Sequence, residues 1–396
     1  MRRVCNATPR HARNCRITRI TNATSDGADM EALLIGANAN AGGVEAVGGS
    51  TVVGPWVFVM AGQHAREWLP IMAAVFLAER LLEGMATARA VPELASPDVR
   101  QLAELLTRIT VVIIPITNID GFKYTYSRQG TAGGLSCSVR DTVKRKCLRL
   151  WRKSRSAMPV HTRIGLGGDC SGVDLNRNWP VDWGHLRGGK RASPDPCNDE
   201  YAGTAPFSAP ETRAIRDFIL AVSQPPMAAL DIHAFAQAVL GPWSHSNGDP
   251  IGAGRIDRIG EAVAAAMSGV HGAQHVYGRG TADDLIYLAS GTFVDWMFVM
   301  HRIPAYTVEL RPRAGRFSGF DLGTANIILA GDEITVGVLA LMYTALQELE
   351  MSSASTVRGF EPFHTENHKY YNITNIIISQ IYCPGDYYAL QHYDTP

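Results

Sequence analysis

Four short apolar runs rich in β-branched residues, at 56–61, 110–117, 227–232 and 305–310, constrain the fold of this 396-residue chain more than any other feature. Each is apolar at nearly every position rather than at alternate ones, the pattern of a strand buried on both faces. Helical patterns lie between them, at 70–82, 209–222, 256–267, 291–300 and 332–349. Strand alternating with helix predicts an α/β fold. In open sheets of this kind ligands collect at the carboxyl ends of the strands. His64, His233 and Glu309 all stand at or near such ends.

Lys and Arg number 37 and are balanced by 37 Asp and Glu, so nothing in the charge points to nucleic acid or to an acidic membrane surface. A small or peptidic partner is expected. No uncharged apolar run reaches the roughly 18 to 20 residues that span a bilayer, so no membrane association is expected. The opening MRRVCNATPRHARNCR carries charge without the apolar stretch of an export leader. The seven cysteines, at 5, 15, 137, 147, 170, 197 and 383, are odd in number and leave at least one thiol outside any intramolecular pair.

One domain is expected over residues 31–350. Residues 1–30 lack periodicity and read as irregular. Residues 129–146 form a Gly/Ser/basic insertion, and 351–396 shift toward Tyr, Asn and Ile as a C-terminal extension, explained by disorder or by an error in the gene prediction.

The chemistry concentrates in two segments, Gln63-His64-Ala65-Arg66-Glu67-Trp68 and Asp231-Ile232-His233. A lone His after a strand is ordinarily a turn residue. Two imidazoles and one carboxylate, however, make the set that holds a catalytic zinc while leaving a position open. Around them stand GQHAREW, NIDGF, LWRKSRS, CSGVDLNRNWP, DIHAFAQ, YLASGTFVDW and YTVELR, in that order. In these segments the chain resembles the zinc metallocarboxypeptidases of the carboxypeptidase A/B type, the funnelins, from about Leu33 to Glu350.

That resemblance implies a mixed, twisted sheet flanked by helices on both faces, one Zn²⁺ per chain, and peptide or protein C-termini as substrate. It implies His64, Glu67 and His233 as metal ligands, with Asp174 orienting a ligand histidine. Glu309 would be the general base, and Arg152 would stabilise the oxyanion with its permanent charge. Asn176 and Arg177 would clamp the terminal carboxylate, Arg66 would lie along the substrate path, and Tyr287 would cover the terminal residue. Val294 would form the base of the side-chain pocket; lacking charge, it implies a preference for hydrophobic or aromatic C-terminal residues. Ala289 and Thr307 would keep that pocket roomy, whereas a carboxylate reaching it from Asp283 or Asp284 would favour basic residues instead.

A disulfide between Cys170 and Cys197 is likewise implied, and with it an oxidising compartment, so that the chain is expected to be secreted and monomeric. Cys137 and Cys147 lie in the insertion and have no assigned pairing. Two departures stand out: Ala234 and Phe235 follow His233 where the family has Ser and Tyr, which touches subsite contacts rather than chemistry. The family also carries a leader and an inhibitory segment, neither of which is legible before Leu33, so the chain is expected to be shortened at its start. The competing reading is a non-catalytic relative that binds C-terminal peptides or a protein partner.

Overall fold

A computed structural model describes residues 1–20, 22–40, 52–90, 97–127, 148–157, 170–184, 191–279, 287–313 and 317–358. The four apolar runs become adjacent or nearly adjacent strands at the centre of one eight-stranded sheet. These are β3 (Trp56–Ala61), β4 (Thr110–Ile114), β5 (Ala228–Ala234) and β8 (Ala305–Leu310) in the order β1-β2-β4-β3-β5-β8-β6-β7. β4, β3, β5 and β8 run parallel, while β1 (Cys15–Ile20), β2 (Met30–Ile35) and β6 (Ala238–Gly241) join antiparallel and β7 (Val276–Arg279) pairs parallel with β6. The sheet is therefore mixed. Every residue of β3, β4 and β5 is buried, as expected where helices cover both faces.

One face buries Val57, Val59, Ile113, Leu230 and Val308 against the helices Trp68–Ala90, Ala253–Ser268 and Ala325–Arg358. The other buries Phe58, Met60, Val112 and Ala229 against Trp179, Phe293, Trp296 and Phe218. Alternate residues of one strand thus feed two cores, the direct consequence of a side-chain period of two. The helix Ala325–Arg358 contains, in Ala325–Met351, a stretch apolar and long enough to cross a bilayer, contrary to the expectation that no such run exists. It packs against Trp68–Ala90 and Ala253–Ser268 and is largely buried inside the protein.

The expectation for residues 1–30 is also corrected. They form two short helices, Arg2–Cys5 and Pro9–Asn14, and then β1, which pairs along its full length with β2. Thr8 caps the second helix by accepting a hydrogen bond from the His11 N–H at 3.1 Å, and Cys5 is joined to Cys15. Local capping and a cross-link over a ten-residue separation, rather than an apolar pattern, order this segment. The helix Ala325–Arg358 runs past 350, the expected boundary of the domain. Residues 129–146, with Cys137, lie outside the described residues, as do Cys147, the rest of the tail from 359 with Cys383, and Asp283 and Asp284.

Candidate active site

The metal candidates arise where β3 and β5 end side by side. After Ala61 the chain turns at Gly62, whose φ of +72° and whose position against Ile71, 2.9 Å from where a Cβ would stand, both demand glycine. The following turn is closed by the Glu67 N–H donating to the His64 carbonyl at 3.1 Å, so His64 and Glu67 project to the same side. His233 is the penultimate residue of β5. All three are buried, and their donor atoms lie within 4.8 Å of one another.

Both imidazoles turn Nδ1 inward. Those two nitrogens are 3.0 Å apart, and the Glu67 carboxylate oxygens lie 2.8 Å from His64 Nδ1 and 3.0 Å from His233 Nδ1. Each Nε2 turns outward to a carboxylate, Asp174 at 3.1 Å from His64 and Asp231 at 2.8 Å from His233. With Nε2–H given to Asp, each Nδ1 offers a lone pair to the same point. Nitrogens bound at about 2.0–2.1 Å to one tetrahedral ion are separated by about this distance, so the donor set fits Zn²⁺.

The electrostatics follow from that crowding. Burial alone would raise the Glu67 carboxyl, but His64 and His233 hold it well below the usual carboxylate range. Burial would lower the His233 imidazole, yet Asp231 and Glu67 push it well above its ordinary value. A proton therefore occupies the metal-free site and must leave when an ion enters.

Glu309 sits on β8 directly beside His233 in the strand register and lines the same cleft. Burial, reinforced by Glu67 and Asp231 and opposed by His233 and Arg152, raises its carboxyl to about 7. Arg152 is buried and donates Nε–H to Asp174 Oδ2 at 2.9 Å; burial would lower its guanidinium, but Asp174 keeps it firmly charged. Asp174 thus ties the His64 ring and Arg152 into one unit, and its Oδ1 also accepts the Asn176 N–H at 3.0 Å. Although burial would raise the Asp174 carboxyl, Arg152 and His64 hold it well below the ordinary range.

Asn176 and Arg177 come from the one-turn 3₁₀ helix that Asp174 caps. Asn176 Oδ1 accepts the Phe293 N–H at 3.0 Å, and Arg177 donates to the Asn176 carbonyl at 2.8 Å and faces the Tyr287 hydroxyl at 3.4 Å. Arg66 lies at the other side of the cleft, 4.8 Å over the Phe320 ring and 3.2 Å from Asp199. His64, Arg66, Glu67, Arg152, Asn176, Arg177, His233, Tyr287 and Glu309 all line one cavity of about 280 Å³. Cys170 and Cys197 are joined, pinning the segment that leads into Asp174.

Val294 is the exception. It is buried in the apolar core among Phe58, Trp179 and Trp296 and does not line the cleft. Helix Phe293–His301 begins one residue earlier and turns its first residues inward, so that Thr292 at the N-cap faces the cavity instead. The neighbouring Asp295 is also turned away, accepting from the Ser244 and His245 N–H groups at 2.8 and 3.2 Å. Leu240, Gly241, Ser244 and Phe320 line the cleft without a readable signal in the sequence, because they come from an edge strand and loops. Asp231 had a signal: two positions before His233 on a strand, it must share that residue's face.

Against this geometry, the zinc carboxypeptidase family matches residues 6–335, and the chain belongs to that family. It is 31% identical over 289 residues to a zinc carboxypeptidase of Simulium vittatum, covering 73% of this chain and 80% of that one. It is 30% identical over 299 residues to zinc carboxypeptidase A 1 of Drosophila melanogaster, covering 74% of this chain and spanning only 59% of that relative's length. It is also 30% identical over 285 residues to carboxypeptidase B of Astacus astacus, covering 72% and 78%. In fold it is similar to thrombin activatable fibrinolysis inhibitor (TM-score 0.65, 21% identity, 87% of this chain and 72% of that one). The carboxypeptidase A of Helicoverpa armigera is comparable (TM-score 0.60, 24% identity, 86% and 71%).

Proposed function

We propose that this chain is a zinc-dependent exopeptidase that removes single residues from peptide C-termini, with preference for apolar or aromatic terminal residues. The observation that carries the reading is the convergence of His64, Glu67 and His233 in one cleft, with Glu309 and Arg152 beside them and Arg177 further along it. Bound by the three ligands, Zn²⁺ would supply a Lewis acid that polarises a carbonyl and acidifies water.

The chain's own groups account for the rest. Glu309, raised toward neutrality by burial, suits a base that takes a proton from water and returns it to the leaving amine, since proton transfer is most efficient near the working pH. Arg152, already oriented by Asp174, would meet the negative charge that develops on the carbonyl oxygen. Arg177 and Asn176 would hold the substrate's terminal carboxylate by charge-assisted hydrogen bonds. Tyr287, beside Arg177, would close over the terminal residue and exclude water.

Selectivity for apolar ends is supported by Leu240, Gly241, Ala289, Thr292 and Thr307 along the cleft; Glu67 and Glu309 are its carboxylates among the described residues. A cationic side chain would find no free partner there, since both acids are committed to chemistry. The two disulfides favour a secreted, monomeric enzyme of an oxidising compartment. The test is the ratio of kcat/KM on blocked dipeptides ending in Phe, Leu, Lys and Glu. Phe and Leu are expected to lead; a lead for Lys would reverse the selectivity, and binding without any turnover would instead support a non-catalytic peptide-binding role.

A further inference from the structure

Asp231 has no role in the reading above, yet it is the most constrained unassigned carboxylate near the site. It lies in β5 two residues before His233, and its side chain is completely buried. Oδ2 stands 2.8 Å from His233 Nε2 and accepts a hydrogen bond of 2.6 Å from Gln63 Nε2. Gln63 is itself held from both ends: its side-chain oxygen accepts the Trp179 indole N–H at 3.4 Å, and its carbonyl accepts from Asn118 Nδ2 at 3.1 Å. The Gln63 amide is therefore oriented with its NH₂ toward Asp231. Asp231 Oδ1 has no hydrogen-bond partner among the described residues.

A buried carboxylate with one unpaired oxygen is costly unless a positive charge compensates it nearby. Asn176 Nδ2 also lies 3.4 Å from His233 Nε2, but it is a donor and cannot accept the ring N–H. The acceptor of that N–H is thus Asp231.

We propose that Asp231 is a positioning residue of the metal site: it accepts the Nε2–H of His233, fixes the tautomer whose Nδ1 lone pair faces the ion, and supplies charge that the ion offsets. This rests on the zinc reading of His64, Glu67 and His233. The arrangement repeats for His233 what Asp174 does for His64, so that each ligand imidazole is backed by its own carboxylate. The two differ in that Asp174 is also committed to Arg152 and the Asn176 N–H, whereas Asp231 is anchored by Gln63 alone.

The test is Asp231→Asn, which keeps the shape and removes the charge, with zinc affinity read by chelator competition and stability read by melting of the metal-free protein. Loss of a carboxylate behind a ligand histidine should weaken zinc binding about 10- to 100-fold. The metal-free variant should melt no lower than the parent, because an uncompensated buried charge has been removed. The visible spectrum of the Co²⁺-substituted protein should change as the His233 ligand field weakens. Zinc affinity within about twofold of the parent, or metal-free stability falling with an unaltered Co²⁺ spectrum, overturns the proposal and leaves a purely structural role. If Asp231→Asn does not fold, Gln63→Met decides, since it leaves Asp231 but removes its anchor: weaker zinc binding supports the proposal, and unchanged binding overturns it. Failure of the unaltered protein to take up one zinc would refute the zinc reading itself, an outcome distinct from either.

Discussion

The two ends of the cleft are built differently. At the metal end every charged group has several fixed partners: Glu67 contacts both histidines and the Ala234 N–H, and Asp174 joins His64, Arg152 and the Asn176 backbone. At the end that would receive the terminal side chain, the lining is Leu240, Gly241, Ala289, Thr292 and Thr307, small or apolar groups from a strand edge, a bridge, a cap and β8. The contrast teaches that chemistry here is set by a hydrogen-bonded network with little freedom to vary. Selectivity is set by volume and by the absence of charge, which single substitutions can alter without disturbing the network.

The strongest way to break the metal end is Glu309→Gln. Turnover should fall by about 10²- to 10⁴-fold, the usual worth of a general base, while zinc content measured by metal analysis stays at the parental level. A drop in zinc content would mean that Glu309 belongs to the metal shell instead. Next in size is Arg177→Gln, at the junction between the two ends. Losing a buried charge-assisted clamp should cost on the order of 10²-fold in kcat/KM toward peptides with a free C-terminal carboxylate. C-terminally amidated peptides should be unaffected, so the acid-to-amide ratio is the quantity to follow.

A smaller effect is expected from Thr307→Asp, which puts a carboxylate into the apolar end. The preference for Phe over Lys ends should shift by roughly tenfold or more toward Lys, with zinc content unchanged. No shift would place the side-chain pocket elsewhere in the cleft.

Glu211, buried outside the cleft near Asp120, provides a control for how the fold treats a carboxylate without a fixed network. Burial, with Asp120 adding, raises its carboxyl to about 8. Because the folded value lies above the unfolded one, its contribution to stability is complete below the unfolded value of about 4.5 and is lost as pH rises through about 8. Urea midpoints of the parent should therefore fall relative to Glu211→Gln between about pH 5 and pH 9. Parallel curves for the two proteins would show that Glu211 is not held neutral.

How much of this was legible in the sequence follows the same division. β3, β4, β5 and β8 could be read because strands buried on both faces are apolar throughout. β1 could not, since CRITRI is an edge strand held by pairing and by the Cys5–Cys15 link rather than by an apolar pattern. The metal end was legible because His64, Glu67, Arg152, Asn176, Arg177 and His233 sit in short segments whose local turns fix their direction. Val294 was misplaced because pocket depth depends on where helix Phe293–His301 starts, a tertiary fact that turns Val294 into the core and Thr292 toward the cavity. Asp231 was passed over although its spacing from His233 carried the information.

The central claim is that three ligands and an arginine clamp make one exopeptidase site. The most direct measurement follows a peptide and its C-terminal amide by mass spectrometry, with the zinc-loaded protein, after chelation, and after zinc is restored. The account predicts stepwise loss of single C-terminal residues from the free acid alone, abolished by chelation and recovered with one zinc per chain. Internal cleavage, equal attack on the amide, or turnover that survives complete removal of the metal would contradict it.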